Sequence, residues 1–461
     1  MKTKFGKGIV SGLALAFAIC VAASANAAVY YASSSGSPCG TPNYLTIQDA
    51  VNHATAGSTV EICAGQGPNA DGSYPEQVYI NKRLTLAGFA VGNVNQAVIT
   101  VPVGGVIANA TSLTSGNPIQ AQIYVSDTTA VNITNVVVDG TGNGINGCEA
   151  GTMVGIYYQD ASGIINHVVA RHQEAADLTD YVGCQWGLGI FVQSGLNAVT
   201  GKAGTSTVTV EYSSVHDFMK NGITGNETGT TLHVVDSQVR GLGPVATGEN
   251  GIQFGFGATG TAVNNSVSDV VYSLCTSLSN CAATATGILV YDSSDVTVNT
   301  NHVANTQGAV GIDSDGSLPA DDEVIENNVV DGTLVYDAID VCGSNGSSVT
   351  GNTITNSGQS AIHLDSTCAL YGGPVGGTAT VSGNILNEAC AGILNGSAGN
   401  TIGTNTSNNV ANTNPRRRHS HLHSPVWRRR SGGTNRGLGA EEAAGRTPIG
   451  RQLRLDSRFI G

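Results

Sequence analysis

The chain has 461 residues, of which 11% are charged, 5% are aromatic and 62 are Gly. An ordinary soluble protein carries about 25% charged residues. The only long apolar run is at the N-terminus, which excludes a polytopic membrane protein. A 40% hydrophobic content with regularly recurring Val and Ile excludes disorder over most of the chain. The charge is segregated. Residues 414–461 carry 11 Arg and three acids, and residues 1–27 carry three Lys and no acid. Residues 28–413 are left with six bases against 30 acids, net −24. A body this acidic repels nucleic acid and anionic surfaces, and it meets a polyanionic glycan only through a bridging cation such as Ca²⁺.

The chain opens on Lys2, Lys4 and Lys7, an apolar stretch from Ile9 to Val21, and Ala25-Asn26-Ala27. This is the pattern of a signal peptide, residues 1–27, cut after Ala27, with no membrane span. It predicts a secreted protein, with the periplasm or the cell surface as its destination. Nine cysteines remain after cleavage and none forms a C-x-x-C pair, so a zinc or thioredoxin-type site is not indicated. In an oxidising compartment they are disulfide candidates. The expected pairs are Cys39–Cys63, tying the N-terminal cap to the first coil, Cys275–Cys281, Cys148–Cys184 and Cys342–Cys368. An odd number leaves at least one cysteine unpaired or in an intermolecular bond.

One helix is predicted, at Thr46–Ala54. Ile47, Ala50, Val51 and Ala54 fall on one face, and Thr46 with Asp49 makes a capping-box-like start. Strands follow at Thr59–Cys63, Gln77–Ile80 and Leu84–Ala87. From there a small-Ile dipeptide recurs: Gly155-Ile156, Gly189-Ile190, Gly222-Ile223, Gly251-Ile252, Gly287-Ile288, Gly311-Ile312, Ala338-Ile339, Ala361-Ile362 and Gly392-Ile393. A fixed unit with loops of varying length means stacked coils, none able to bury its own apolar face. A second pattern sets Asn between apolar residues, as in Val298–Asn301–Val303, Val324–Asn327–Val329, Val349–Asn352–Ile354 and Val381–Asn384–Leu386. Asn tolerates the left-handed backbone of a bend, and stacked coils would align these residues in a ladder.

The run from Tyr44 to Gly88, with the Gly-Ile and Val-x-x-Asn-x-Val units, resembles right-handed parallel β-helix proteins of the pectin-lyase-like superfamily. The resemblance covers about residues 44–410. It implies an all-β solenoid over residues 28–413 with a short N-terminal capping helix. That superfamily holds polygalacturonases, pectate and alginate lyases, epimerases, phage tailspikes, adhesins and periplasmic accessory proteins.

Candidate chemistry follows from the repeat. Residues one and three after each anchor Ile are expected to face solvent. Most coils carry mixed residues there, such as Tyr157/Gln159, Phe191/Gln193 and Gln253/Gly255. Three consecutive coils instead read Asp313/Asp315, Asp340/Cys342 and His363/Asp365. Stacked like charges are unfavourable unless used. Coils ~4.8 Å apart would set Asp313 beside Asp340, with Asp315 diagonal to Asp340 at roughly 8 Å, the spacing of an inverting glycosidase pair. The layout resembles the polygalacturonase site, and the resemblance carries to Asp313, Asp340 and His363. The chain departs from that pattern: no Asn-Thr precedes Asp313, Val341 follows Asp340, and no Arg-x-Lys follows in the next coil.

Two readings stand. One is a carbohydrate-active protein, a polysaccharide hydrolase or lyase, that uses Asp313, Asp315, Asp340, His363 and Asp365 along a lateral groove, with Ca²⁺ as the one cofactor the acids would take. The other is a non-catalytic surface or periplasmic β-helix: an adhesin, scaffold or accessory protein. The partner in either case is a polysaccharide or cell-surface glycan. The Asp321-Asp322-Glu323 run reads as an exposed turn. At Pro415 the pattern stops, and residues 414–461 read as a disordered basic tail of the kind a frameshift produces. A basic arm and a metal tract at His419, His421 and His423 are its alternatives.

Overall fold

The computed structural model describes residues 27–34, 39–145, 151–175, 186–196, 203–277, 284–365 and 377–410. Short parallel strands account for most of them. They stack into three sheets of 14, 12 and 12 strands. We call these A, B and C. Each coil contributes one strand to each in turn, as in Ser206–Glu211 (A), Ser214–Phe218 (B) and Asn221–Asn226 (C), followed by Thr230–Val235, Gln238–Val245 and Asn250–Gly255 in the next coil. Sheet C also holds an antiparallel pair, Ala110–Thr111 against Pro118–Ser126. The architecture is a right-handed parallel β-helix, as the repeat predicts. No helix among the described residues is long and apolar enough to cross a membrane.

The core follows from the alternation of side chains along each strand. Val208, Val210, Val215 and Ile223 of one coil, and Leu232, Val234, Val239 and Ile252 of the next, point inward and are almost fully buried. They belong to one apolar column that runs from Ala32 to Ala389. Each such side chain contributes about 1.5–3 kcal/mol through burial. The predicted helix spans Ile47–His53; Thr46 is its N-cap and accepts from the Asp49 N–H. Ile47, Ala50 and Val51 close the open end of the column.

The corner between sheets A and B is built the same way from the coil of Val131–Thr134 to that of Thr380–Ser382. The residue just after the sheet A strand takes a left-handed φ, as at Asn264 (56°), Asn327 (56°), Gly351 (67°) and Gly383 (70°). The next residue points inward. From Asn265 onward that inward residue is Asn, and its amide bonds to the Asn one coil later: Asn265–Asn301 (2.9 Å), Asn301–Asn328 (3.0 Å), Asn328–Asn352 (3.0 Å), Asn352–Asn384 (3.0 Å) and Asn384–Asn405 (2.9 Å). The expected ladder exists with one correction: Asn328, not Asn327, belongs to it. Two consecutive Asn fill the bend and the ladder position, and the spacing alone does not tell them apart.

Cys39 and Cys63 form the expected disulfide, with Cα atoms 6.1 Å apart. Cys275 and Cys342 are also disulfide-bonded. Their expected partners, Cys281 and Cys368, lie outside the described residues, as do Cys148, Cys184, the signal segment 1–26 and the tail 414–461. Cys390 is a free, exposed thiol. Of the Asp321-Asp322-Glu323 run only Asp322 is exposed, and Asp321 is half-buried. Glu323 is fully buried, and its Oε2 accepts from the Ser344 (3.0 Å) and Ser347 (2.6 Å) hydroxyls.

Candidate functional site: an acidic cluster on sheet C

The small residue before each anchor sits at a tight corner. A Cβ at Gly222 would lie 2.5 Å from Val239 Cγ1 and 2.6 Å from the Gly251 carbonyl oxygen. At Gly251 the same distances are 2.6 Å to Val267 Cγ1 and 2.5 Å to the Gly287 oxygen. Bulk at this column is excluded by the inward Val of sheet B. Gly311 does not belong to it: a Cβ there would meet Thr286 Cγ2 at 3.4 Å and Leu289 Cδ1 at 3.6 Å, ordinary contacts. Strand pairing gives the same answer. Ile288 stacks on Val310, and Val310 on Ile339. The repeat unit of this coil is therefore Ala309-Val310, and Gly311-Ile312 lies two residues beyond it.

This shift rearranges the expected site. Asp340 faces Gly311, and Asp313 pairs with Tyr291. Asp313 and Asp340 are thus diagonal neighbours, at roughly 8 Å between Cα atoms, rather than side by side. Asp340 lies directly opposite His363, and Cys342 opposite Asp365, as expected. Asp315 is not diagonal to Asp340. It lies beyond the end of the strand Gly308–Asp313, and its N–H donates to Asp292 Oδ1 at 3.0 Å.

The corner has a second consequence. The chain bends at the small residue, so strict alternation breaks there. The residue two before the anchor joins the residue one after it on the outer face; Asn250 and Asn221 both donate to Gln253 Oε1, at 3.0 and 3.1 Å. In the coil of Ile339 this brings Asp337 to Asp340. The sequence reading missed Asp337 because simple alternation turns it inward.

Asp337 organises the cluster. It is 3% exposed, and its Oδ1 accepts from the Ser360 N–H at 2.8 Å and from the Ser360 hydroxyl. Its Oδ2 lies 3.1 Å from His363 Nδ1, which is 3.7 Å from Asp340 Oδ1. The Asp340 side chain is 41% exposed, but Oδ1 is turned inside and has no hydrogen-bond partner. Burial opposes charge on His363, but the hydrogen bond to Asp337 and the charges of Asp340, Asp337 and Asp365 outweigh it and push the imidazole up to about 10. Burial pushes the Asp340 carboxyl up to about 7, with His363 opposing and Asp337 and Asp365 adding to the rise. Burial, and then the charge of Asp340, hold Asp313 well above the usual carboxylate range. Asp292, also missed by the sequence reading, is 1% exposed, and burial pushes it up to about 7.

Asp337, Asp340 and His363 each offer one ligand atom within 4.8 Å of the others. Ca²⁺ takes oxygen ligands, and an imidazole among three donors does not suit it. The set matches a transition metal better.

The other outward positions of sheet C do not all face solvent. Tyr157, Phe191, Gln193, Thr224, Asn226 and Gln253 are buried. Tyr79, Tyr124, Tyr157 and Phe191 stack in sequence with ring centroids 5.1, 5.6 and 5.1 Å apart. The segment around Thr111 and Leu113 lies over this stack, accepting from Gln159 Nε2 (2.7 Å) and donating to Gln193 Oε1 (3.1 Å). The outer face is partly open at Leu289, Gly311, Asp313, Asp340 and His363.

The family described as "Right handed beta helix region" matches residues 202–375. No curated protein matches the chain. Among solved structures, a GH136 lacto-N-biosidase from Eubacterium ramulus is 12% identical over 81% of this chain and 67% of its own, with a TM-score of 0.54. The mannuronan C-5 epimerase AlgE4 A-module of Azotobacter vinelandii is 15% identical over 79% of this chain and 91% of its own, TM-score 0.48. PfbA, a surface adhesin of Streptococcus pneumoniae, is 12% identical over 76% and 87%, TM-score 0.44. At such identities the likeness concerns the fold alone. The three stacked sheets and the matched region define a right-handed parallel β-helix protein.

Proposed function

We propose that the chain is an exported glycoside hydrolase that cleaves a neutral polysaccharide with inversion, at the open stretch of sheet C. The proposal takes residues 28–413 as one solenoid unit, freed from its signal after Ala27, with 414–461 outside it. The Cys39–Cys63 disulfide supports an oxidising compartment. The acidic body argues against a uronate substrate.

The observation that carries the reading is the diagonal placement of the Asp313 and Asp340 carboxyls beside a buried Asp337–His363 pair. Burial and the neighbouring Asp340 charge raise the proton affinity of Asp313, which suits it to serve as general acid to the leaving oxygen. Asp340 ionises near pH 7 next to the His363 imidazolium and serves as general base to water. Asp337 fixes the ring through Nδ1. A diagonal of roughly 8 Å leaves room for the water of an inverting reaction. Asp315 and Asp365 flank the pair, and Asp365 raises the proton affinity of Asp313 and Asp340 by its charge.

The test is a reducing-end assay over neutral and acidic polysaccharides, with the anomer of the product followed by NMR. Wild type should release an inverted product, and Asp340→Asn should lose about 10²–10⁴ in turnover while melting as wild type does. Equal turnover in the variant removes Asp340 from the reaction and overturns the assigned site, and no cleavage of any glycan by wild type rules the enzyme out.

A further inference from the structure

A second site lies away from the acidic cluster, at the corner between sheets A and B. The left-handed corner position is Asn135, Asp236, Asn264, Asn327, Gly351 or Gly383 in six coils and Thr300 in another. Asn, Asp and Gly are the residues that tolerate this backbone, and His is accepted there too. Two successive coils place rings at the corner, His167 (φ 52°) and Tyr212 (φ 48°); of these Tyr212, like the β-branched Thr300, departs from the rule. A bulky aromatic such as Tyr is a true outlier in this region of φ, and an outlier held in place points to use. The core does not explain it, because Tyr212 is 54% exposed and His167 is exposed as well.

The two rings stack, with centroids 5.5 Å apart and planes at 28°. They border a cleft of about 330 Å³ that Gln96, Asp236 and Gln238 also line. Asp236 accepts from the Tyr212 hydroxyl and, on its other side, from the Asn264 amide. An exposed aromatic face beside a carboxylate and two amides matches one chemistry well. A pyranose offers an apolar C–H face to the ring and hydroxyls to the acceptors and donors around it. The Asp236 carboxylate excludes a uronate. We infer that His167, Tyr212 and Asp236 form a binding site for a neutral sugar residue of a glycan chain, separate from the acidic cluster on sheet C. The inference does not depend on the chain being a hydrolase; it fits a non-catalytic glycan binder equally.

The backbone makes the test clean. Tyr212→Asn installs the residue the corner prefers, so folding is preserved or improved while the platform is lost. Tyr212→Phe keeps the platform and loses the hydroxyl. The full-length exported chain would be run by affinity gel electrophoresis against laminarin, xyloglucan, galactomannan and dextran, with alginate as the acidic control. Wild type should be retarded by at least one neutral polysaccharide and not by alginate. Tyr212→Asn should weaken that binding at least tenfold with an unchanged or higher Tm, and Tyr212→Phe should stay within about threefold. Retention of full binding by Tyr212→Asn, or a lowered Tm in that variant, assigns Tyr212 to packing and overturns the inference. Failure of wild type to bind any of the four neutral polysaccharides overturns it too.

Discussion

Asp337 is the residue on which the candidate site turns. Its carboxylate is held from one side by Ser360 and offers its second oxygen to His363, so the imidazole has one orientation and its Nε2 is left for other partners. A hydrogen bond to a charged group is worth about 1.5–3 kcal/mol. Asp337→Asn keeps the shape and an acceptor for Ser360 but removes the charge that favours the imidazolium. His363 should then titrate well below about 10, moving toward its ordinary 6.5. Imidazole NMR resonances followed against pH measure this directly. An unmoved titration in the variant would mean that Asp340 and Asp365 alone set the state of His363, and Asp337 would lose its positioning role.

At the scale of the element, the column of small residues decides the register of sheet C. Gly222→Ala puts a methyl 2.5 Å from Val239 Cγ1 and 2.6 Å from a carbonyl oxygen. Overpacking of this kind costs about 1–3 kcal/mol, and the Tm should fall by roughly 2–6 °C. Gly311→Ala should leave the Tm level or raise it slightly, because its Cβ meets only ordinary contacts and a strand gains from losing a Gly. Equal melting of the two variants would contradict the assigned register. The same column shows what the sequence could and could not reveal. The helix at Ile47–His53 and the stacked coils were legible because each rests on a local signal, a cap and a period, and the Cys39–Cys63 bridge because its cysteines flank the predicted capping helix. Asp340, His363 and Asp365 were legible for the same reason, since their distance from the anchors Ile339 and Ile362 is right. Asp313 and Asp315 were misplaced because Gly311-Ile312 imitates the repeat two residues after the true Ala309-Val310. Asp337 and Asp292 were missed for a different reason. One needs the break in alternation at the small residue, and the other follows the strand end, where its surroundings come from the next coil.

For the whole molecule, the buried acids set how stability depends on pH. Glu323 is fully buried between coils, with only the Ser344 and Ser347 hydroxyls as side-chain donors, and burial pushes its carboxyl from 4.5 up to about 7. Asp292, 1% exposed, is pushed by burial from 3.8 to about 7. Between these ordinary values and pH 7 the folded chain holds protons that the unfolded chain has released. The stability linked to those protons is complete below about pH 4 and is lost as pH rises through 7. For Glu323 alone the loss is on the order of 3 kcal/mol. The coils are joined to their neighbours by stacking, so a charge trapped between two of them weakens the interface on both sides. The Tm of wild type should therefore fall steadily from pH 5 to pH 8. Glu323→Gln keeps an acceptor for the serines and cannot ionise, so its Tm should fall less over the same range and exceed that of wild type at pH 8. Thermal melts of both proteins at pH 5, 6, 7 and 8 measure the difference. A wild-type Tm that stays level or rises across this range would show that Glu323 ionises without cost, and that the interface between these coils admits water.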